Sequence, residues 1–201
     1  MNNNITQTVK HPENLAVIIA LESETQGLFQ KAGIPVHYCG IGKINAAFKT
    51  TEVILKTNCK YVLNLGTAGS HRFPTHSVIE CSAVIQKDMD ISPLGFAKGE
   101  TPMDKIPGRI TLEKKFSHLR SGVCGTGDRF EVGTPEMECE LVDMEAYAIA
   151  KVCKKLEIPM TAIKYITDGS DPDAHKDWVA NLKPASEKLF ATYLEFIESF
   201  K

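Results

Sequence analysis

Residues 15–24 read LAVIIALESE, a continuous apolar run over Leu15–Ala20 that leads into the acidic Leu21-Glu22-Ser23-Glu24. An amphipathic surface strand alternates apolar and polar residues. An unbroken run of this length fits a strand buried on both faces, as in a parallel sheet covered by helices on either side. Tyr61–Leu65 reads as another buried strand, and Val78–Ile85, Gly122–Thr126 and Thr161–Ile166 also read as strands. Between these runs the spacing changes. Ile44, Ala47, Val53 and Leu55 predict a helix through residue 56, and Ala146, Ile149, Ala150, Cys153 and Leu156 predict another from Met144, stopped by Pro159. Leu189, Phe190, Tyr193, Leu194 and Ile197 form a closing amphipathic helix. Strands alternating with helices imply an α/β protein, a three-layer α/β/α arrangement around a central mixed sheet.

The bulk properties narrow the function classes. A chain of 201 residues with 43% hydrophobic and 24% charged residues suits one domain, expected over 15–201 and preceded by a frayed tail over 1–14. The net charge is −2 and no basic stripe is visible, so nucleic acid is not an expected partner. No apolar run approaches the roughly 18 residues of a membrane span, and the polar opening MNNNITQTVKHPEN carries no apolar signal core. Six scattered cysteines with no CxxC pair read as reduced thiols of a cytoplasmic protein. The six histidines form no HExxH and no zinc spacing, so neither a metal nor a cofactor is expected.

Two motifs fail on inspection. Gly40-Ile41-Gly42-Lys43-Ile44-Asn45 lacks the third glycine of a dinucleotide loop. As a phosphate loop it lacks both the first glycine, replaced by His37, and the hydroxyl after Lys43. The chemistry collects instead at strand ends, where α/β sheets bind ligands: Glu24, Thr67, Asp128 and Asp168. Asp143 and Glu145 open a helix, where an acidic residue serves equally well as an N-cap or a dipole partner. The Pro- and Gly-rich segment 86–110 reads as a long loop.

Taken together, the strings IALESE, GIGKINAA, NLGTAGS, GTGDRF, VDMEAYAIAKVC and AIKYITDGSD resemble the nucleoside phosphorylase superfamily. Within it they are most similar to the 5′-methylthioadenosine/S-adenosylhomocysteine nucleosidases. The resemblance implies hydrolysis of a purine nucleoside's N-glycosidic bond by water, in a homodimer. Asp168 matches the acid that protonates purine N7, and Glu24 the residue that activates water. Glu145 matches the carboxylate on the ribose hydroxyls, with Met144 against the sugar. Phe130 matches the ring stacked on the base, and the backbone of Glu131 the group that reads the base edge. Thr67 stands where the family has Ser. Leu21, Ile41 and Trp178 match apolar positions around the 5′ substituent and base.

The same comparison leaves other readings open: a hydrolase of futalosine, adenosine or inosine, a phosphate-dependent phosphorylase, or a non-catalytic nucleoside binder. Only four arginines occur, none near residue 24 or the GIGK turn, which disfavours phosphate. Relative to the family, 25–40 and 103–121 are shortened and Leu94 replaces an aromatic residue. Arg129 and Glu131 bring charge to an apolar place, which favours a more polar 5′ group. Asp171, Asp173 and Asp177 are expected to line a solvated loop delivering Trp178 to the pocket.

Overall fold

The computed structural model describes residues 9–133 and 135–200. Eight strands form one mixed sheet: β1 (Leu15–Ile19), β2 (His37–Tyr38), β3 (Tyr61–Gly69), β4 (Val78–Gln86), β5 (Arg109–Thr111), β6 (Arg120–Thr126), β7 (Leu141–Asp143) and β8 (Met160–Asp168). Four helices accompany them: α1 (Leu28–Lys31), α2 (Lys43–Lys56), α3 (Ala146–Lys155) and α4 (Ala174–Ser199). β1 runs parallel to β2 and β3, and β3 parallel to β8. β8 turns antiparallel against β4, β4 pairs β6, and β6 pairs β7. A single antiparallel pair, Gly69 opposite Val142, joins β7 back to β3, so the ladder closes on itself.

The uninterrupted apolar strands feed two cores, as strand periodicity demands. Ala16 and Ile18 of β1 pack with α2 and α3 through Ala46, Val53, Ile149 and Cys153. Leu15, Val17 and Ile19 face the other way, onto Phe29 of α1 and Leu189, Tyr193 and Phe196 of α4. The expected three layers follow. No described helix is long and apolar enough to cross a membrane.

The structure differs from the sequence expectations in particular places. β5 and β7 are only three residues each, too short to announce themselves by pattern. β5 ends the segment expected to be a loop, which also holds a 3-10 turn at Ser92–Leu94. Asp143 ends β7 and does not open a helix; α3 starts at Ala146 with Glu145 at its N-cap position. α4 begins at Ala174, well before the apolar repeat and with Pro184 inside it, so Asp177 and Trp178 are helical and not in a loop. Ile44 and Leu55, two of the apolar positions that predict this helix, are exposed, and Ala46, Thr50 and Val53 make the buried face of α2. Of the expected tail, residues 1–8 lie outside the described residues. His11, by contrast, is tied down, with Nδ1 2.7 Å from Tyr193 Oη and Nε2 2.9 Å from the Leu15 carbonyl.

Candidate active site

The carboxyl ends of β1, β3, β7 and β8 converge on a cavity of about 300 Å³. Leu21, Glu24, Ile41, Thr67, Phe130, Glu131, Met144, Glu145, Asp168 and Trp178 all line it. So do Arg129, expected from the sequence to bring charge near the 5′ group, and Asp143, Ser170 and His175, which sequence reasoning did not place there.

Glu24 arrives on a 3-10 turn, Glu22–Glu24, that follows β1 directly. Its side chain folds back to accept the Leu21 N–H on Oε2 at 3.0 Å, fixing the turn. Oε1 accepts from the backbone N–H and the hydroxyl of Thr67, both at 2.8 Å. Trp178 Nε1 donates to that same hydroxyl at 3.0 Å. Three donors from two elements therefore hold a carboxyl that is only 3% exposed, which gives it one orientation toward the cavity.

Lys164 was not singled out from the sequence. It lies in the middle of β8 with 1% exposure, and its Nζ sits 2.8 Å from Asp143 Oδ2. A Cβ on Gly66 would lie 3.3 Å from both Lys164 Nζ and Glu24 Oε1, so that glycine lets the ammonium and the carboxyl approach. Asp143 also accepts from Thr126 Oγ1 at 2.6 Å and from the Ala146 N–H at 2.9 Å. Burial opposes its charge, but the Lys164 ammonium and these donors prevail, holding it below the usual carboxylate range. Burial works against Lys164 too, yet Asp143 above all raises it. A lone lysine within Ala162-Ile163-Lys164-Tyr165-Ile166 was the available signal, because a charge inside a doubly buried strand needs a partner.

Glu145 sits beside this pair and accepts the Gly42 N–H on Oε1 at 3.0 Å. Burial, reinforced by the Asp143 charge, pushes its carboxyl up to about 8, against the pull of Lys164 and Gly42. Two adjacent carboxyls thus titrate far apart, one charged with its lysine and one protonated near neutral pH in the open site.

Asp168 closes β8 where the ladder with β3 slips. Ala68 pairs Ile166 and Gly69 pairs Asp168, leaving Thr167 as the extra residue. Such bulges re-aim side chains. A Cβ on Gly69 would come within 2.6 Å of Asp168 Oδ1, so only glycine admits the carboxyl here. Thr167 Oγ1 donates to Oδ2 at 2.8 Å and the Ser170 N–H to Oδ1 at 3.0 Å. Burial raises the Asp168 carboxyl in spite of them, and the charges of Asp171 and Asp177 push the same way. Asp177 lies in the first turn of α4, Asp173 occupies its N-cap position, and Asp171, just before the helix, accepts the Asp173 N–H at 2.9 Å.

Phe130 stands at the mouth, 45% exposed. The Glu131 side chain does not offer charge to a 5′ group; it turns into an ion pair with Lys87, and Arg129 reaches its other oxygen at 3.1 Å. Leu94 is exposed and does not line the cavity. The shortened 25–40 stretch keeps only α1 and β2.

The chain is similar to known proteins. A curated relative from Buchnera aphidicola subsp. Schizaphis graminum, a 5′-methylthioadenosine/S-adenosylhomocysteine nucleosidase, is 31% identical over 183 residues, covering 81% of this chain and 77% of its own. The aminodeoxyfutalosine nucleosidase of Helicobacter pylori strain J99 is 29% identical over 193 residues, covering 87% and 82%. The solved 5′-methylthioadenosine/S-adenosylhomocysteine nucleosidase of Neisseria meningitidis, in complex with methylthio-immucillin-A, superposes with a TM-score of 0.81. It is 25% identical, and the match covers 94% of this chain and 100% of that one. The model of the phosphorylase superfamily matches residues 18–198, and the chain belongs to that family.

Proposed function

We propose that this protein hydrolyses the N-glycosidic bond of 5′-methylthioadenosine and S-adenosylhomocysteine, releasing adenine and the 5-substituted ribose. The observation that carries the reading is one cavity in which Glu24, Glu145 and Asp168 stand in three different environments. Purine is a poor leaving group until N7 is protonated, and Asp168, raised by burial, is the acid for that step. As the C1′–N9 bond lengthens, the sugar takes on oxocarbenium character. Glu24, held by Thr67 and Leu21, orients water and accepts its proton as the new C1′–O bond forms. Glu145 takes the ribose hydroxyls. Their O–H groups favour its ionised form, so substrate binding converts it into a negative charge beneath the developing cation. Met144, Leu21 and Ile41 give the 5′ thioether an apolar surface. Phe130 stacks on the base, the Glu131 backbone meets its edge, and Trp178 closes the wall.

Water, not phosphate, is the nucleophile in this scheme. Among the described residues the only arginine lining the cavity is Arg129, largely exposed and engaged with Glu131, and the Glu24 carboxyl occupies the position an anion would need. We further propose a homodimer. Ile44, Phe48 and Leu55 leave an apolar stripe on α2, exposed by 82%, 70% and 70%, which fits a surface covered by a second copy. Six buried, unpaired cysteines suit a reducing cytoplasm, where the reaction would serve methionine salvage.

The test is chromatographic release of adenine from methylthioadenosine and adenosylhomocysteine, with and without phosphate, beside adenosine, inosine and futalosine. Phosphate-independent adenine release from the first two is expected. Strict phosphate dependence overturns the hydrolase reading, and no release from any purine nucleoside overturns the enzyme reading.

A further inference from the structure

Lys87 directly follows β4, and its N–H donates to the Thr126 carbonyl at 2.9 Å. Its side chain runs beneath the end of β6, through a channel kept open by two glycines. A Cβ on Gly125 would stand 3.3 Å from Lys87 Cδ. One on Gly127 would stand 3.1 Å from Cε and 2.9 Å from Nζ. The ammonium ends on Glu131 Oε2, with the two side chains 4% and 5% exposed. The neighbouring Asp88 binds the other end of the same loop: its Oδ2 accepts the Asp128 N–H at 2.8 Å, and its Oδ1 lies 2.6 Å from Lys43 Nζ. Residues 87 and 88 thus anchor both ends of 128–131, the stretch that presents Phe130 to the cavity. No helix or strand occurs between β6 and β7 among the described residues, and α2 adds one bond, from the Lys43 N–H to Asp128 Oδ1 at 2.8 Å.

A buried ion pair adds little net stability, since desolvation offsets most of the attraction. What it does well is impose one arrangement on the groups it joins. We propose that Lys87 is a positioning residue for the purine: through Glu131 it holds the Phe130 ring and the adjoining backbone in the register that accepts the base, and so governs base affinity and not bond cleavage. This deepens the nucleosidase reading and rests on it in one respect, that a purine occupies the cavity. Lys87 does not line the cavity, so its influence passes through Glu131.

The experiment uses adenine itself as the probe. Trp178 is the only tryptophan in the chain and lines the cavity, so its fluorescence reports adenine binding independently of turnover. In Lys87→Met, adenine affinity is expected to fall by about tenfold and KM for methylthioadenosine to rise in parallel, with kcat within about threefold of the parent. Lys87→Arg, which retains a cation, is expected to recover most of the loss. Unchanged adenine affinity in Lys87→Met, measured well below its melting temperature, overturns the proposal in favour of a purely structural pair. A loss of kcat at unchanged affinity overturns it too. If Lys87→Met does not fold, Lys87→Gln takes its place with the same criteria. A parent protein that binds adenine but cleaves no nucleoside would overturn the nucleosidase reading alone, because the adenine titration still decides the role of Lys87.

Discussion

The indole Nε1 of Trp178 donates to Thr67 Oγ1 at 3.0 Å, and that hydroxyl donates onward to Glu24 Oε1 at 2.8 Å. An aromatic wall on α4 is thereby wired to the proposed base at the end of β1 through one hydroxyl on β3. Trp178→Phe removes the first donor only, and kcat/KM is expected to fall roughly three- to tenfold, the worth of one neutral hydrogen bond. Thr67→Val strips Glu24 of its side-chain donor and should cost more, whereas Thr67→Ser should remain near the parent. Steady-state kinetics on methylthioadenosine decide it; three indistinguishable variants would dismiss the relay.

Asp168→Asn keeps the shape of the acid without its proton. A loss of about a thousandfold in kcat is expected, within the usual range for general acid catalysis, while adenine still quenches Trp178 fluorescence. Because Asp171 and Asp177 help to raise Asp168, neutralising either as Asn lowers its pKa. The alkaline limb of the kcat profile should then move to lower pH. A limb that stays in place, or moves up, contradicts the assignment.

Glu145 carries a consequence for stability. Its carboxyl is raised to about 8 in the fold, so between the ordinary glutamate pKa and 8 the native state holds more protons than the unfolded chain. Stability from this group is present at low pH and is lost as pH rises through that window. Glu145→Gln removes the dependence. Its melting temperature relative to the parent is expected to improve between pH 5 and pH 8, by ~5 °C or more for a chain of this size. A constant difference across that range would refute the buried protonated carboxyl.

Lys164→Met leaves Asp143 buried without its cation, which should cost about 3–5 kcal/mol. Adding Asp143→Asn removes the uncompensated charge, so the double variant should melt above the single one. Thermal denaturation of both variants is the measurement, and a double variant no better than the single would mean the pair is not coupled.

Phe48→Glu places a charge on the apolar stripe of α2. Light scattering is expected to show a parent of twice the chain mass and a variant of one chain mass, whose melting temperature no longer rises with protein concentration.

Much of this architecture was legible because burial on both faces leaves a strong trace. LAVIIA admits few readings other than a covered strand, and β1 divides its residues alternately between the two cores. Glu24 and Asp168 were legible as cavity acids, since a carboxyl directly after an apolar strand stands where α/β folds bind ligands. Asp128, read the same way, does not line the cavity and instead accepts the Lys43 N–H. Other parts left no such trace. β7 is three residues long and β5 also three, below the length at which alternation can be told from chance. The first ten residues of α4 show no sustained apolar repeat and Pro184 follows them, so the helix there depends on tertiary packing, with Ala174, Ala185 and Leu189 fully buried.

The sequence by itself determined the layering of helices on a mixed sheet and the family, and it offered the acids of the proposed site, because side-chain type and period are local properties. Only the tertiary structure decided how those groups behave. Asp143 and Glu145 are two residues apart, yet one is held charged by Lys164 and the other is pushed to about 8. Lys87 and Glu131 are 44 residues apart, yet they share one buried contact behind the cavity wall. Charge states and pairings arise from desolvation and from distances in space, and neither is written along the chain.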